Sequence, residues 1–234
     1  MTDKLDENAT DYVVSATKSA LGMVPFAGSL LAELAGSIIP KQRMDRLIDY
    51  ARKLEHRLSA LDQDAIRIKL SDENFTDLLE ESARQAAQAI TDERREYLAA
   101  LLASGVSEDR VSFVESRHLL RLLSQINDIE VIWLRFYSHR TLNGDNEFRN
   151  KHAAILAPIR TTLGSDQETI DRKALQDNYT EHLVSLGLLT RPLRIDSKTG
   201  GPEFDRIIKS WKTEPTQTTL LGRLLLKYIG LDSR

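Results

Sequence analysis

The sequence has no cysteine, which excludes disulfides, thiolate zinc sites, iron–sulfur clusters and cysteine nucleophiles. It also lacks an excess of either charge: 32 Lys and Arg stand against 35 Asp and Glu, for a net charge of −3. No global attraction to nucleic acid or anionic lipid follows, so any such binding must come from a local patch. With 234 residues, 41% of them hydrophobic and 29% charged, the chain is typical of a globular protein of one or two domains.

Motifs of enzyme active sites are missing as well. There is no G-x-S-x-G, no G-x-x-x-x-G-K-[ST] and no G-x-G-x-x-G, and the five histidines form no H-E-x-x-H pair. One fragment, Asp196-Ser197-Lys198, matches the D-x-K of metal-dependent nucleases, but it lies in a Gly/Pro-rich turn. We therefore predict a protein that is not an enzyme, and we assign no catalytic residue, metal ligand, cofactor or small-molecule substrate.

The amino terminus is polar and acidic, unlike a secretory signal, and predicts a cytoplasmic protein. The apolar segment 21–39, within a glycine-containing stretch at 19–40, has Glu33 as its only formal charge. It could span a membrane, but Pro25, its glycines and Glu33 oppose that. It could instead form a buried helix over 26–39, which we favour, or an interfacial segment that associates with a membrane on activation. The residues that would face either the core or lipid are Phe26, Leu30, Leu31, Leu34 and Ile38.

The fold class predicted by the patterning is mostly α. Residues 1–107 read as a helical bundle, because apolar residues recur near the 3.6-residue period from Met44 to Leu61 and again from Phe75 to Ile90. Ser71-Asp72-Glu73-Asn74 and Thr91-Asp92-Glu93 are typical helix starts, and Gly105 is predicted to end the last helix.

Residues 108–234 read as a second domain. Two apolar helices, a polar loop at 141–150 and a short helix at 152–163 precede a helix over 172–186 that Gly187 closes. Predicted strands at 188–195 and 204–212 flank a turn at 197–202, and a last helix spans 220–230, capped by Thr216 or Thr218. The order of helix, strand hairpin and helix is that of a winged helix-turn-helix.

Two stretches carry a family resemblance. LVSLGLL at 183–189 and TTLLGRLLLKYI at 218–229 resemble the end of the helix and the closing helix of bacterial winged-helix proteins. Together with the glycine-containing apolar start, the amphipathic stretch at 43–58 and ERREYLAALLA at 93–103, they resemble the Abi-alpha group of bacterial abortive-infection proteins. That resemblance implies an antiviral defence role against phage and transfers no catalytic residue. The closing motif is one residue longer than the usual Thr-x-Leu-Gly.

The carboxyl-terminal part is the basic one. Residues 151–234 contain 13 Lys and Arg against 10 Asp and Glu, a net charge of +3, so residues 1–150 have a net charge of −6. Candidate contacts to phosphate or to a partner are Arg172, Lys173, Arg191, Arg194, Lys198, Lys209 and Lys212.

Acidic residues on the predicted recognition helix, Asp177 and Glu181, favour protein contact as much as DNA contact. We therefore expect a non-enzymatic abortive-infection protein that binds a protein partner or a second copy of itself. The alternatives are a DNA-binding winged-helix transcriptional regulator and a membrane-perturbing effector that uses residues 21–39.

Overall fold

A computed structural model describes residues 28, 31–32, 43–107, 113–139, 145–197, 199–206 and 209–232. The described chain is mostly helical, with two small antiparallel strand pairs, which confirms the mostly α prediction. Within these ranges no helix has the length and apolar character that a membrane crossing requires. Phe26, Leu30, Leu34, Ile38 and Lys198 lie outside the described residues, whereas Leu31 is described and fully buried.

The chain divides into two compact units, residues 1–125 with 228–234 and residues 126–227. The sequence placed a boundary after residue 107, whereas the structure groups the next helix with the first unit. The described helices of the first unit are α1 (Met44–Leu58), α2 (Gln63–Leu70), α3 (Glu73–Gln88), α4 (Asp92–Ser107) and α5 (Phe113–Gln125).

Helices α1, α3 and α4 form the core of the first unit. Helices α1 and α3 each bury one apolar stripe, whereas α4 is buried on all sides over 98–103. The Tyr50 hydroxyl is fully buried and donates a hydrogen bond to Ser82 Oγ at 2.8 Å, and burial raises the pKa of Tyr50. The helix starts match the prediction: Asp72 accepts from the N–H of Asn74 at 2.9 Å, and Thr91 Oγ1 accepts from that of Arg94 at 3.2 Å.

Two details of the first unit differ from prediction. Gly105 does not end α4, which continues to Ser107; a Cβ at Gly105 would lie 3.3 Å from Ser116 Oγ, so the glycine permits close packing of α4 on α5. Ile90 is 83% exposed, because α3 already ends at Gln88 and the chain leaves the core there.

The second unit contains α6 (Asp128–Ser138), α7 (Asn146–Lys151), α8 (Ala153–Leu156), α9 (Gln167–Ser185) and α10 (Leu220–Tyr228), whose last residue belongs to the first unit. Helix α9 ends as predicted, with Gly187 in the left-handed region at φ +71°. Part of the predicted polar loop at 141–150 is α7, and the predicted helix at 152–163 is limited to the single turn of α8. The cap of α10 is Thr219, whose Oγ1 accepts from the N–H of Gly222 at 3.0 Å, and not Thr216 or Thr218.

The strands are shorter than predicted, and antiparallel pairing of the predicted strands at 188–195 and 204–212 is present only in part, as in the hydrogen bond from the Arg194 N–H to the Lys212 carbonyl. Strand β1 (Leu189–Thr190) pairs with β4 (Gln217–Thr218), and β2 (Phe204–Asp205) pairs with β3 (Ser210–Trp211), each antiparallel. The predicted single strand at 204–212 is therefore wrong, since this segment folds back on itself. Bridges between Leu193 and Thr213 and between Ile195 and Pro202 join three segments, 192–196, 201–205 and 210–214, which we call the ribbon.

Candidate functional site

The predicted basic residues do not form one continuous positive surface. Arg172 and Lys173 lie on α9, Arg191 and Arg194 follow β1, and Lys209 and Lys212 flank β3. Lys173 pairs with Asp177, and Arg191 pairs with Glu181. Arg194 Nε lies 3.4 Å from Glu203 Oε2 and 3.9 Å from Glu214 Oε1, and Lys212 Nζ lies 2.5 Å from Glu203 Oε1.

These carboxylates offset the field that a phosphate backbone would meet. Ion pairs at the surface contribute only about 0–1 kcal/mol each, so they do not lock the side chains, but the carboxylates do reduce the local positive charge. Arg172, Arg206 and Lys209 are exposed; Arg206 and Lys209 pair with no carboxylate in the described part of the chain, whereas the charge of Arg172 acts on Asp166. Lys209 has φ +52°, a left-handed conformation at the end of the β2–β3 hairpin.

The ribbon separates apolar from charged residues by strand register. Residues paired across antiparallel strands point to the same face, and so do residues two apart on one strand. The bridges Leu193–Thr213 and Ile195–Pro202 and the pair Phe204–Trp211 therefore lie on one face. Arg194, Glu203 and Lys212 occupy the alternate positions, which explains their ion pairs.

The apolar side of the ribbon is exposed. Leu193, Ile195, Phe204 and Trp211 are 44%, 56%, 45% and 53% accessible, and we call these four side chains the ribbon face. The Phe204 and Trp211 rings meet edge to face with centroids 5.1 Å apart. Sequence reasoning missed this face because it treated 204–212 as one strand; the alternation of Leu193 and Ile195 was the available signal.

A buried carboxylate joins α6 to α9 within the second unit. Glu130 is 2% exposed; its Oε2 accepts from the N–H of Asn127 at 2.7 Å, and its own N–H donates to Asn127 Oδ1 at 2.9 Å, forming a capping box. Its Oε1 lies 2.6 Å from His182 Nδ1. This carboxylate orients the half-exposed imidazole. No local sequence pattern predicts the contact, because the two helices are far apart in the sequence.

Replacing Glu130 by alanine should destabilise the second unit by about 2–4 kcal/mol, because the backbone N–H of Asn127 loses its acceptor and the His182 imidazole loses its partner. Glu130→Gln keeps an acceptor for the Asn127 N–H and should cost less. Urea unfolding followed by tryptophan fluorescence measures both, and the exposed Glu147→Ala serves as a control within about 0.5 kcal/mol of the wild type. Equal losses for the Ala and Gln variants would contradict the capping role.

A polar cleft of about 410 Å³ lies in the second unit, between the end of α6, the segment 215–218 and the first turn of α10. Its walls are Tyr137, Ser138, Pro215, Thr216, Gln217, Thr218 and Arg223. Thr218 is 8% exposed and its Oγ1 has no hydrogen-bond partner, which costs about 1–3 kcal/mol for a buried hydroxyl. Nothing in the sequence marked this cleft, since its walls come from separate segments.

Within the described ranges no group of three or more His, Asp or Glu side chains is arranged to hold a metal ion. Asp196, the acid of the D-x-K fragment, instead shapes the turn, since its carbonyl accepts from the N–H of Gly200 at 2.8 Å.

No family model matches the chain, and no curated protein or solved structure matches it.

Proposed function

We propose that this chain is a non-enzymatic bacterial abortive-infection protein that acts through protein–protein contact at the ribbon face. The observation that carries the proposal is the exposure of four large apolar side chains, two of them aromatic, on one side of the ribbon. Aromatic side chains are frequent anchors of protein interfaces, whereas isolated exposed apolar residues need no explanation. The defence role rests on the resemblance of 183–189 and 218–229 to the Abi-alpha group.

The positive charges beside the ribbon face indicate that the partner surface carries negative charge. Arg206 and Lys209 lie at the end of the hairpin without carboxylate partners in the described chain, next to β2 and β3. A complementary surface has an apolar pocket for Phe204 and Trp211 and carboxylates at its border. The partner in this proposal is therefore a protein with an acidic rim around an apolar pocket.

The alternative is a DNA-binding regulator with a winged-helix module. The order of α9, the ribbon and α10 and the exposed Arg172 and Lys209 favour it. The pairing of Lys173, Arg191, Arg194 and Lys212 with carboxylates supports protein contact instead.

Replacing Phe204 and Trp211 together by serine should abolish protection of a host strain against phage, measured as efficiency of plating, because the anchors of the partner interface are lost. Both residues are about half exposed, so the melting temperature should change little. The control is Ile68→Ser with Ile90→Ser, which removes two exposed isoleucines of the first unit, 72% and 83% accessible. The control variant should protect like the wild type.

Full protection by the Phe204 and Trp211 variant would contradict the role of the ribbon face, and a wild-type chain that protects against no phage would contradict the defence role.

A DNA-binding assay distinguishes the regulator from the protein-binding proposal. The test variant has four basic residues changed together to alanine: Arg191, Arg194, Lys209 and Lys212. We expect no sub-micromolar DNA binding by the wild type near physiological salt. Sequence-selective binding that this variant loses, with a flatter salt dependence by about 0.9 log unit per lost phosphate contact, would establish the regulator.

A further inference from the structure

The polar cleft beside α10 has the chemistry of an anion site. Its walls include the side chains of Ser138, Thr216, Thr218, Gln217 and Arg223, and no carboxylate residue lines them. Arginine is suited to carboxylate and phosphate, because its planar fork donates two parallel hydrogen bonds to two oxygens of one group. The lining thus combines several hydrogen-bond donors with one guanidinium charge.

Arg223 differs from the arginines near it. Arg191 and Arg194 each pair with a glutamate, whereas Arg223 has no side-chain partner in the described part of the chain and remains exposed. Its backbone is fixed, since its N–H donates to the Thr219 carbonyl at 3.0 Å. The charge is therefore held at the cleft without a counterion from the protein.

Thr218 supports the wall of the cleft from behind. It is more than nine-tenths buried, and protein atoms cover its hydroxyl oxygen, so a ligand in the cleft does not reach that oxygen. On α10, a Cβ at position 222 would lie 2.8 Å from Thr218 Cγ2, so Gly222 lets the helix approach the threonine closely. The cleft therefore offers a ligand the half-buried side chains of Ser138 and Thr216 and the exposed amide of Gln217, together with Arg223.

Accordingly, we propose that this cleft binds a small molecule through a phosphate or carboxylate group, with Arg223 as the principal contact and Ser138 and Thr216 as hydroxyl donors. A volume of about 410 Å³ lies at the lower end of the range for small-molecule sites, which fits a metabolite more closely than a polymer. The cleft is separate from the ribbon face, so the inference does not depend on the proposed function.

The experiment is a titration of the full-length chain with inorganic phosphate, and separately with succinate, at constant ionic strength set with chloride. Binding raises the melting temperature with ligand concentration, and isothermal titration gives the dissociation constant. The wild type should bind at least one of the two probes, and the tighter one distinguishes a phosphate ligand from a carboxylate ligand. No binding of either probe up to 50 mM, on the order of the weakest affinity that one arginine and its hydroxyls should give, would overturn the inference.

Variants then test the named contacts. Arg223→Gln should weaken binding by about tenfold or more, while the control Lys227→Gln, which removes one positive charge from the same helix, should change it less than about twofold. Ser138→Ala removes one of the two named hydroxyls, so the affinity of this variant for the bound probe should fall. Equal affinity of the wild type and Arg223→Gln would overturn the site, as would equal losses for Arg223→Gln and Lys227→Gln.

Discussion

Replacing Gly222 by alanine should destabilise the second unit by about 3 kcal/mol or more, despite the better helix propensity of alanine. The new Cβ would lie 2.3 Å from the carbonyl oxygen of Leu188, 2.8 Å from Thr218 Cγ2 and 3.2 Å from Leu134 Cδ1. The carbonyl cannot yield easily, because it accepts hydrogen bonds from the N–H of Thr219 at 3.0 Å and from its hydroxyl at 3.1 Å. Helix α10 would have to move away from β1 and β4.

Urea unfolding followed by far-UV circular dichroism measures this loss, because the helix signal reports both units, whereas both tryptophans, Trp133 and Trp211, lie in the second unit. Gly105→Ala is the matched control, because it is also a glycine within a helix, but its nearest neighbour would be the Ser116 hydroxyl at 3.3 Å. A hydroxyl can rotate, so this control should stay within about 1 kcal/mol of the wild type. A Gly222→Ala variant as stable as the control would contradict the close contact between α10 and Leu188.

The sequence predicted helix ends well because their causes are local. Asp72, Thr91 and Gly187 act on backbone groups within three residues, and the structure places each at a helix boundary. Gly105 is the exception, since a glycine within a helix can equally serve packing against a distant serine. A glycine in a helical pattern can therefore indicate either the end of the helix or a close contact with a neighbouring element.

The ribbon was harder to predict because its pairing is long-range. The segment 204–212 fits one strand as well as two, and Lys209 within it adopts a left-handed conformation although it is not glycine. Bridges from 192–196 to both 201–205 and 210–214 depend on where three segments meet. Period-2 patterning gives the two faces of a strand but not which face is covered.

Most of the charged residues of the candidate surface are evident in the sequence, but the ion pairs that they form are not. Glu181, Glu203 and Glu214 reach Arg191, Arg194 and Lys212 from other segments of the chain, so the neutralisation appears only in the fold. Arg223 was not predicted as a contact for the same reason. It lies in the predicted closing helix, and only the fold places it in one cleft with Ser138 and Thr216. Net charge along a sequence is thus a poor guide to the field at a folded surface.

Truncating Leu226 to alanine should cost about 2–5 kcal/mol, because the side chain is fully buried in α10 and its loss leaves a cavity. Leu224→Ala is the matched control: it lies on the same helix, has the same change in propensity and is 36% exposed, so its cost should be about 1 kcal/mol or less. Leu226→Met should cost less than about 1.5 kcal/mol, since it nearly conserves volume, and it keeps the comparison available if the alanine variant fails to fold. Tryptophan fluorescence in urea again gives the free energies. Near-equal losses for Leu226→Ala and Leu224→Ala would show that α10 does not pack on the core through Leu226.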